Sequence, residues 1–285
     1  MHRRFPFAFL AALVSLTTLA ASPAAAAPPI IPRPFEPVLS DAERRLAVES
    51  MSARERASVG THLADGAPGL AVSYQRQRYR MLPGLDGTLQ PVAVPSTRAD
   101  DSALMLPAEA VADASYATKP GTDLIISLLV VRTRGTSPFE WMVVPYAEWS
   151  GIDGMHPSNS AADSLAVAWA GGAYVYRQSG EGQRARGWPC NGSDLELWPS
   201  DGSPNTGTAW SFHEWGWWSC PAWWATADIR IRQKTWAHRT DNIVFKYFHT
   251  YSGREYSISF SRTPSVTMSP TNEQWALVLF GTYAH

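Results

Sequence analysis

Apolar and polar residues alternate in short runs along most of the chain from residue 69 onward. Leu70, Val72 and Tyr74 alternate with small or polar residues, and Ile229 and Ile231 alternate with arginines. A period of two places successive side chains on opposite faces of a β-strand. The pattern predicts strands at 69–80, 89–94, 123–133, 139–146, 165–176, 228–236, 242–251, 255–260 and 275–283.

The strand at 123–133 is an unbroken Ile, Leu and Val run, which is typical of a strand buried on both faces. Short strands separated by Gly, Pro, Ser and Asn, with no helix-length segment between them, favour antiparallel sheets. We therefore predict a mainly β fold. It is an antiparallel β-sandwich or barrel, with a short N-terminal helical and hairpin portion and a long loop stapled by a disulfide.

A helix signal begins at Ser40, where Ser40-Asp41-Ala42-Glu43 matches a capping box. In that motif the serine hydroxyl accepts from a free backbone N–H, and the carboxylate three residues later accepts from the serine N–H. The residues that follow are good helix formers with a thin apolar stripe, so one helix is expected to extend to about Leu63.

The N-terminus reads as a secretory signal peptide over residues 1–27. His2, Arg3 and Arg4 precede an apolar run that is too short to span a bilayer, and small residues follow it. Residues 28–38 form a proline-rich linker, with five prolines among residues 28–37. We expect the helical and hairpin portion at 39–118, the β-sandwich domain at 119–285, and a secreted protein, extracellular or periplasmic.

Composition narrows the possible partners. Charged residues make up 17% of the chain, aromatic residues 12%, and the formal net charge is −1. Such an apolar, aromatic chain does not match intrinsic disorder, which needs low hydrophobicity and high net charge. Near-neutral charge without a basic patch also argues against nucleic acid as a partner.

The chain has two cysteines, Cys190 and Cys220. In an exported protein an isolated pair is most simply a disulfide. It would close a loop of about 31 residues and contribute roughly 3–4 kcal/mol in the chain-entropy model. The alternative of a catalytic thiol finds no matching motif, and the spacing does not suit zinc.

Tryptophan is concentrated in one place: eight of the thirteen Trp lie between Trp188 and Trp224. This segment reads as a loop, with a turn-rich stretch at 201–207. Indole rings stack on sugar faces and also suit bilayer interfaces, but they equally fill a protein core. The candidate ligand-binding residues are Trp210, His213, Glu214, Trp215, Trp217, Trp218, Trp223 and Trp224.

No catalytic motif stands out. His213-Glu214 begins like a zinc-protease motif, but the second histidine is missing. A site formed by His213, His238 and His249 is conceivable from composition, yet scattered histidines are more often structural. We expect no cofactor and no metal, and we leave catalysis open while favouring a protein that is not an enzyme.

These observations rank four functions. The first is a secreted, non-catalytic binding protein that recognises a glycan or polymer through the Trp-rich segment. The others are an extracellular glycan hydrolase with Glu214 as general acid, a membrane-contacting or pore-forming protein, and a structural envelope protein with a buried Trp cluster. Few basic residues in the Trp-rich segment weaken docking on anionic lipid.

Overall fold

The structure is a computed structural model. The residues it describes are 39–64, 69–83, 89–94, 123–133, 140–149, 162–170, 172–185, 192–213, 220–233, 240–250, 256–269 and 274–284. They all belong to one compact unit. The expected signal peptide, the linker at 28–38 and the turns at 84–88 lie outside the described residues.

The N-terminal arm, residues 39–64, holds helix α1 (Asp41–Ser50), helix α2 (Ala53–Ser58) and a 3₁₀ turn (Gly60–His62). The capping box at Ser40 is confirmed: its Oγ accepts from the Glu43 N–H, and the Glu43 carboxylate accepts from the Ser40 N–H. The expectation of one continuous helix is wrong. Ser52 interrupts it because its Oγ accepts from the Glu55 N–H at 3.0 Å and caps a second helix.

Within the described residues, thirteen strands follow the arm. They are β1 (Gly69–Pro83), β2 (Leu89–Val94), β3 (Asp123–Thr133), β4 (Glu140–Trp149), β5 (Ala162–Trp169), β6 (Ala173–Arg184), β7 (Trp198–Ser203), β8 (Gly207–His213), β9 (Ala222–Gln233), β10 (Thr240–Thr250), β11 (Ser257–Phe260), β12 (Val266–Ser269) and β13 (Gln274–Ala284).

All strand pairs are antiparallel, which confirms the predicted mainly β, antiparallel class. Six strands form one sheet in the order β2-β1-β3-β4-β9-β6, and five form a second in the order β13-β10-β5-β8-β7. Strands β11 and β12 form a separate ribbon. β6 is therefore an edge strand of the larger sheet.

The two large sheets share one hydrophobic core, as the two layers of a sandwich do. Alternate residues of β3, such as Leu124 and Ile126, belong to the same buried cluster as Leu165 of β5 and Phe245 of β10. The apolar side chains of one sheet's inner face are thereby removed from water by the other sheet.

Each sheet also carries a cover on its outer face. The arm packs on the six-stranded sheet through Val59, Leu63 and Met51, which form a second buried cluster with Leu129 and Tyr146 of that sheet. This cluster explains the unbroken apolar run of β3, which is buried on both faces as predicted. The β11–β12 ribbon covers the five-stranded sheet with a smaller apolar cluster of its own.

The expected long Trp-rich loop is corrected by the structure. Within it, β7 and β8 form a hairpin whose turn is only residues 204–206, and β9 begins at Ala222. The Gly, Ser and Pro residues of 199–207 concealed these strands, because such residues are typical of loops. Among the described residues, the structure contains no helix long and apolar enough to cross a membrane.

Candidate ligand-binding cleft

Two neighbouring tryptophans project from a bulge at the start of β9. In the pairing with β6, Gln183 lies opposite Trp224 and Arg184 opposite Ala222, so that Trp223 is the extra residue. A bulge re-aims side chains that would otherwise alternate between faces. Both indoles accordingly reach the same helix, α2, and both are half-buried.

A cleft of about 400 Å³ lies where α2 faces β6 and β9. Its volume falls within the range of small-molecule sites, which is roughly 300–1,000 Å³. An aromatic ring, an arginine, a carboxylate, an amide and a hydroxyl share the wall with two alanines. The lining residues are Ala53, Arg54, Ala57, Ser58, Glu181, Gln183 and Trp224.

Helix α2 of the arm forms one wall of this cleft, because two small alanines leave space there while Arg54 anchors the helix to the sheet. Ala53 and Ala57 are one helical turn apart, so both present a methyl group on the same face of α2. Arg54 lies over Trp223, with its guanidinium carbon 3.0 Å from the ring centroid. This cation–π contact fixes the arm against the bulge.

Buried polar contacts hold the arm on the sheet beneath the cleft. Glu55 is fully buried and accepts from the Tyr74 hydroxyl at 2.8 Å and from Arg76 Nε at 3.1 Å. The Ser52 hydroxyl donates to Glu148, which also accepts from the Tyr146 hydroxyl at 2.9 Å. Such buried polar groups favour a single docked position, because any other leaves them without partners.

Burial dominates the electrostatics under the arm. It raises the pKa of Glu148, and the nearby Glu55 carboxylate raises it further, although hydrogen bonds from Ser52 and Tyr146 act in the opposite direction. Burial also raises the pKa values of Tyr74 and Tyr146 well above the usual range, so both hydroxyls remain hydrogen-bond donors.

Trp210 does not belong to the cleft. It is 6% exposed and packs in the core shared by the two sheets, which contradicts its expected role as a ligand-binding residue. Its position on β8, two residues from the fully buried Phe212, gives the reason: both side chains point inward.

His213 is exposed at the end of β8, and its ring lies against Trp198 with centroids 4.9 Å apart. Glu214, Trp215, Trp217 and Trp218 lie outside the described residues, so their expected roles stay predictions.

Arg184 contacts both described residues that flank the 214–219 segment. Its Nη1 donates to the carbonyl oxygen of Cys220 at 2.9 Å and to that of His213 at 3.4 Å. Arg184 follows Gln183, which lines the cleft. The described residues on either side of the segment, at the end of β8 in the five-stranded sheet and before β9 in the six-stranded sheet, thus both contact the residue next to Gln183.

Cys220 is buried immediately before β9 and is not a free thiol. Cys190 lies outside the described residues, so the stapled loop between the two stays a prediction.

His249 is not arranged as a metal ligand. It is 2% exposed, its Nδ1 lies 3.1 Å from Oδ1 of the buried Asp163, and its ring stacks on Trp275. His238 lies outside the described residues. In the part of the chain that the structure describes, no group of three or more His, Cys, Asp or Glu side chains could hold a metal ion.

Sequence reasoning found Trp223 and Trp224 but missed the polar side chains around them. Arg54, Ser58, Glu181 and Gln183 belong to no motif, and they come from elements more than 120 residues apart. The one available signal was a second capping pattern, Ser52-Ala-Arg-Glu55, which would have ended α1 early and turned α2 toward the sheet.

Comparison with known protein families finds none that matches the chain, and comparison with curated proteins finds no match either. Among solved structures, a pore-forming protein matches with a TM-score of 0.31 and 6% identity, covering 59% of this chain and 89% of that one. The NetB toxin of Clostridium perfringens in its membrane-inserted form matches with a TM-score of 0.28 and 7% identity, covering 59% and 93%. Likeness at this level carries no functional argument.

Proposed function

We propose that this is a secreted, non-catalytic binding protein that recognises a glycan or polymer at the cleft between α2 and the β6–β9 edge. The observation that carries the proposal is Trp224, which lines a cleft together with polar side chains and has Trp223 beside it at the bulge. The site thus shifts from the whole Trp-rich segment to its last two tryptophans.

The lining suits a sugar. The apolar face of Trp224 stacks on the C–H face of a pyranose ring, which removes apolar surface from water without leaving hydroxyls buried. Arg54 and Gln183 supply N–H donors, while Glu181 and Ser58 supply acceptors for the hydroxyls around the ring. A few convergent polar groups beside an aromatic wall give orientation as well as affinity.

The 214–219 segment extends the same surface in this proposal. We expect Trp215, Trp217 and Trp218 to contribute further stacking rings, and His213 and Glu214 to contribute directional hydrogen bonds. A disulfide between Cys190 and Cys220 restricts the segment, and a restricted binding loop loses less conformational entropy when the ligand binds.

Retention of the secreted chain on a panel of insoluble polysaccharides tests this function. We expect Trp224→Ala to weaken retention by about tenfold, because losing one stacking ring costs about 1.4 kcal/mol. Trp217→Ala and Trp218→Ala are expected to weaken it as well. Tyr176→Ala is the matched control, since Tyr176 is an exposed aromatic residue on the edge strand β6 but does not line the cleft.

Two results would overturn the proposal. One is the absence of retention on every polysaccharide in the panel by the wild-type chain. The other is retention that is unchanged in Trp224→Ala, Trp217→Ala and Trp218→Ala alike while all three remain folded by far-UV circular dichroism.

A further inference from the structure

A second, smaller cleft of about 190 Å³ continues the first along β6 and β9. The two clefts share Ser58 of α2 and Glu181 of β6 in their linings, so they adjoin at these two side chains. Polar groups dominate the wall of the second cleft, which is lined by Ser58, His62, Val144, Ser179, Glu181, Thr226, Ala227 and Asp228.

Glu181 stands at the junction as an exposed residue, and its carboxylate makes no hydrogen bond or ion pair with any residue that the structure describes. On the ladder Glu181 faces Thr226, and Asp228 is the diagonal neighbour. The Asp228 carboxylate therefore lies within reach of a ligand group that contacts Glu181.

The charged or titratable groups near Glu181 are Arg230, Arg54 and His62, and each has surroundings of its own. Arg230 donates to Asp228 through both Nε and Nη2, and Arg54 lies over the ring of Trp223. Burial lowers the pKa of His62, although the Asp228 carboxylate opposes this, so the ring stays neutral in mildly acidic solution more readily than an exposed histidine does. Glu181 is thus the carboxylate of the junction that has no ion partner among the described residues.

A carboxylate without an ion partner favours a charged donor from the ligand. A protonated amine has three N–H donors and a positive charge, and it satisfies a carboxylate better than a hydroxyl does. We propose that the ligand is an amine-bearing saccharide chain that spans both clefts, with one sugar face on Trp224 and its ammonium group on Glu181. This inference rests on the proposed function and narrows it to cationic glycans.

The test uses two soluble hexasaccharides of equal length, one of glucosamine and one of N-acetylglucosamine. Calorimetric titration of the secreted chain at mildly acidic pH, where the sugar amine is protonated, should show about tenfold tighter binding of the glucosamine chain. Glu181→Gln should abolish this preference. Glu49→Gln, which changes an exposed carboxylate of α1 outside both clefts, should leave it unchanged.

A second measurement needs no variant. The preference of the wild-type chain should shrink as salt is added, because ions screen a half-exposed charge pair. Equal affinity for the two hexasaccharides, or a preference that survives in a folded Glu181→Gln, would overturn the inference while leaving glycan binding intact. If neither hexasaccharide binds and no polysaccharide retains the chain, the proposed function fails with it.

Discussion

At the scale of single residues, tryptophans close together in sequence have different uses. Trp210 fills the core between the sheets, whereas Trp224 lines an open cleft. Their neighbours on β6 differ correspondingly: Gly180 leaves room for the Trp210 ring, and Gln183 faces Trp224. Composition could find the cluster, but only the register of the strands separates the ring packed in the core from the half-buried ring that lines the cleft.

Gly180→Ala is expected to destabilise the fold by about 1–3 kcal/mol, the usual cost of overpacking a tight core. A Cβ at this position would lie 2.9 Å from the Trp210 ring and 3.2 Å from Cβ of Leu197, closer than unstrained packing allows. Gly202→Ala is the matched control on a neighbouring hairpin, because its nearest atom would be 3.8 Å away.

Urea unfolding gives the free energy of unfolding of both variants and of the wild type. An alanine at 180 that costs no more than the alanine at 202 would show that Trp210 is not held against β6 as described.

At the scale of elements, the carboxylates that hold the arm on the sheet have different surroundings from other carboxylates of the same sheet. Glu148 and Glu140 lie on the same strand, yet the pKa of Glu148 is raised by burial under α2. Burial acts on Glu140 in the same direction, but hydrogen bonds from Arg232 and Tyr176 outweigh it and lower the pKa of Glu140. The two carboxylates should therefore affect stability with opposite dependence on pH.

For Glu148, the folded state keeps its proton at a pH where the unfolded chain has already lost it. Its contribution to stability is full below the unfolded pKa and falls as pH rises through the raised folded pKa. Glu148→Gln stays neutral and still accepts from Ser52 and Tyr146, so we expect its stability relative to the wild type to increase as pH rises through that window.

The contribution of Glu140 to stability depends on pH with the opposite sign. Its lowered pKa contributes stability that is present above the unfolded pKa and is lost as pH falls through the folded value. Glu140→Gln should therefore show a deficit at neutral pH that shrinks in acid. Urea unfolding of both variants and the wild type across a pH series checks the pair, and parallel pH profiles for the two variants would contradict the assignment.

Prediction from sequence succeeded for elements with a clear period. The unbroken apolar run of β3 and the short alternation of β2 predicted both sets of bounds. It failed for β7 and β8, whose Gly, Ser and Pro residues are common in loops, and for the break at Ser52. The cleft was beyond reach, since its walls are distant in sequence and meet only through tertiary packing.

At the scale of the whole molecule, the N-terminal hairpin and the later strands share one sheet. Eleven residue pairs of β1 and β3 are in register, and Val72 and Met81 of β1 belong to the core cluster of the two sheets. The sequence pattern predicted a domain boundary near residue 119, which lies between these two strands. The hydrogen-bonded ladder instead couples the segments on either side of it.

We therefore expect the described body to unfold in one cooperative transition. Unfolding of β1 would expose one edge of β3 and part of the common core, so neither segment can unfold alone at low cost. Far-UV circular dichroism and Trp fluorescence should give coincident urea transitions. Two separated transitions, or a 119–285 fragment with the stability of the full chain, would contradict it.

The position of the cleft has a thermodynamic consequence. One wall is α2, near the start of the chain, and the other is formed by β6 and β9, far along it. A ligand that contacts both walls acts as a non-covalent cross-link between the arm and the sheet. By reciprocity, whatever free energy the docked arm contributes to the ligand's affinity, the bound ligand returns to the arm as resistance to local opening.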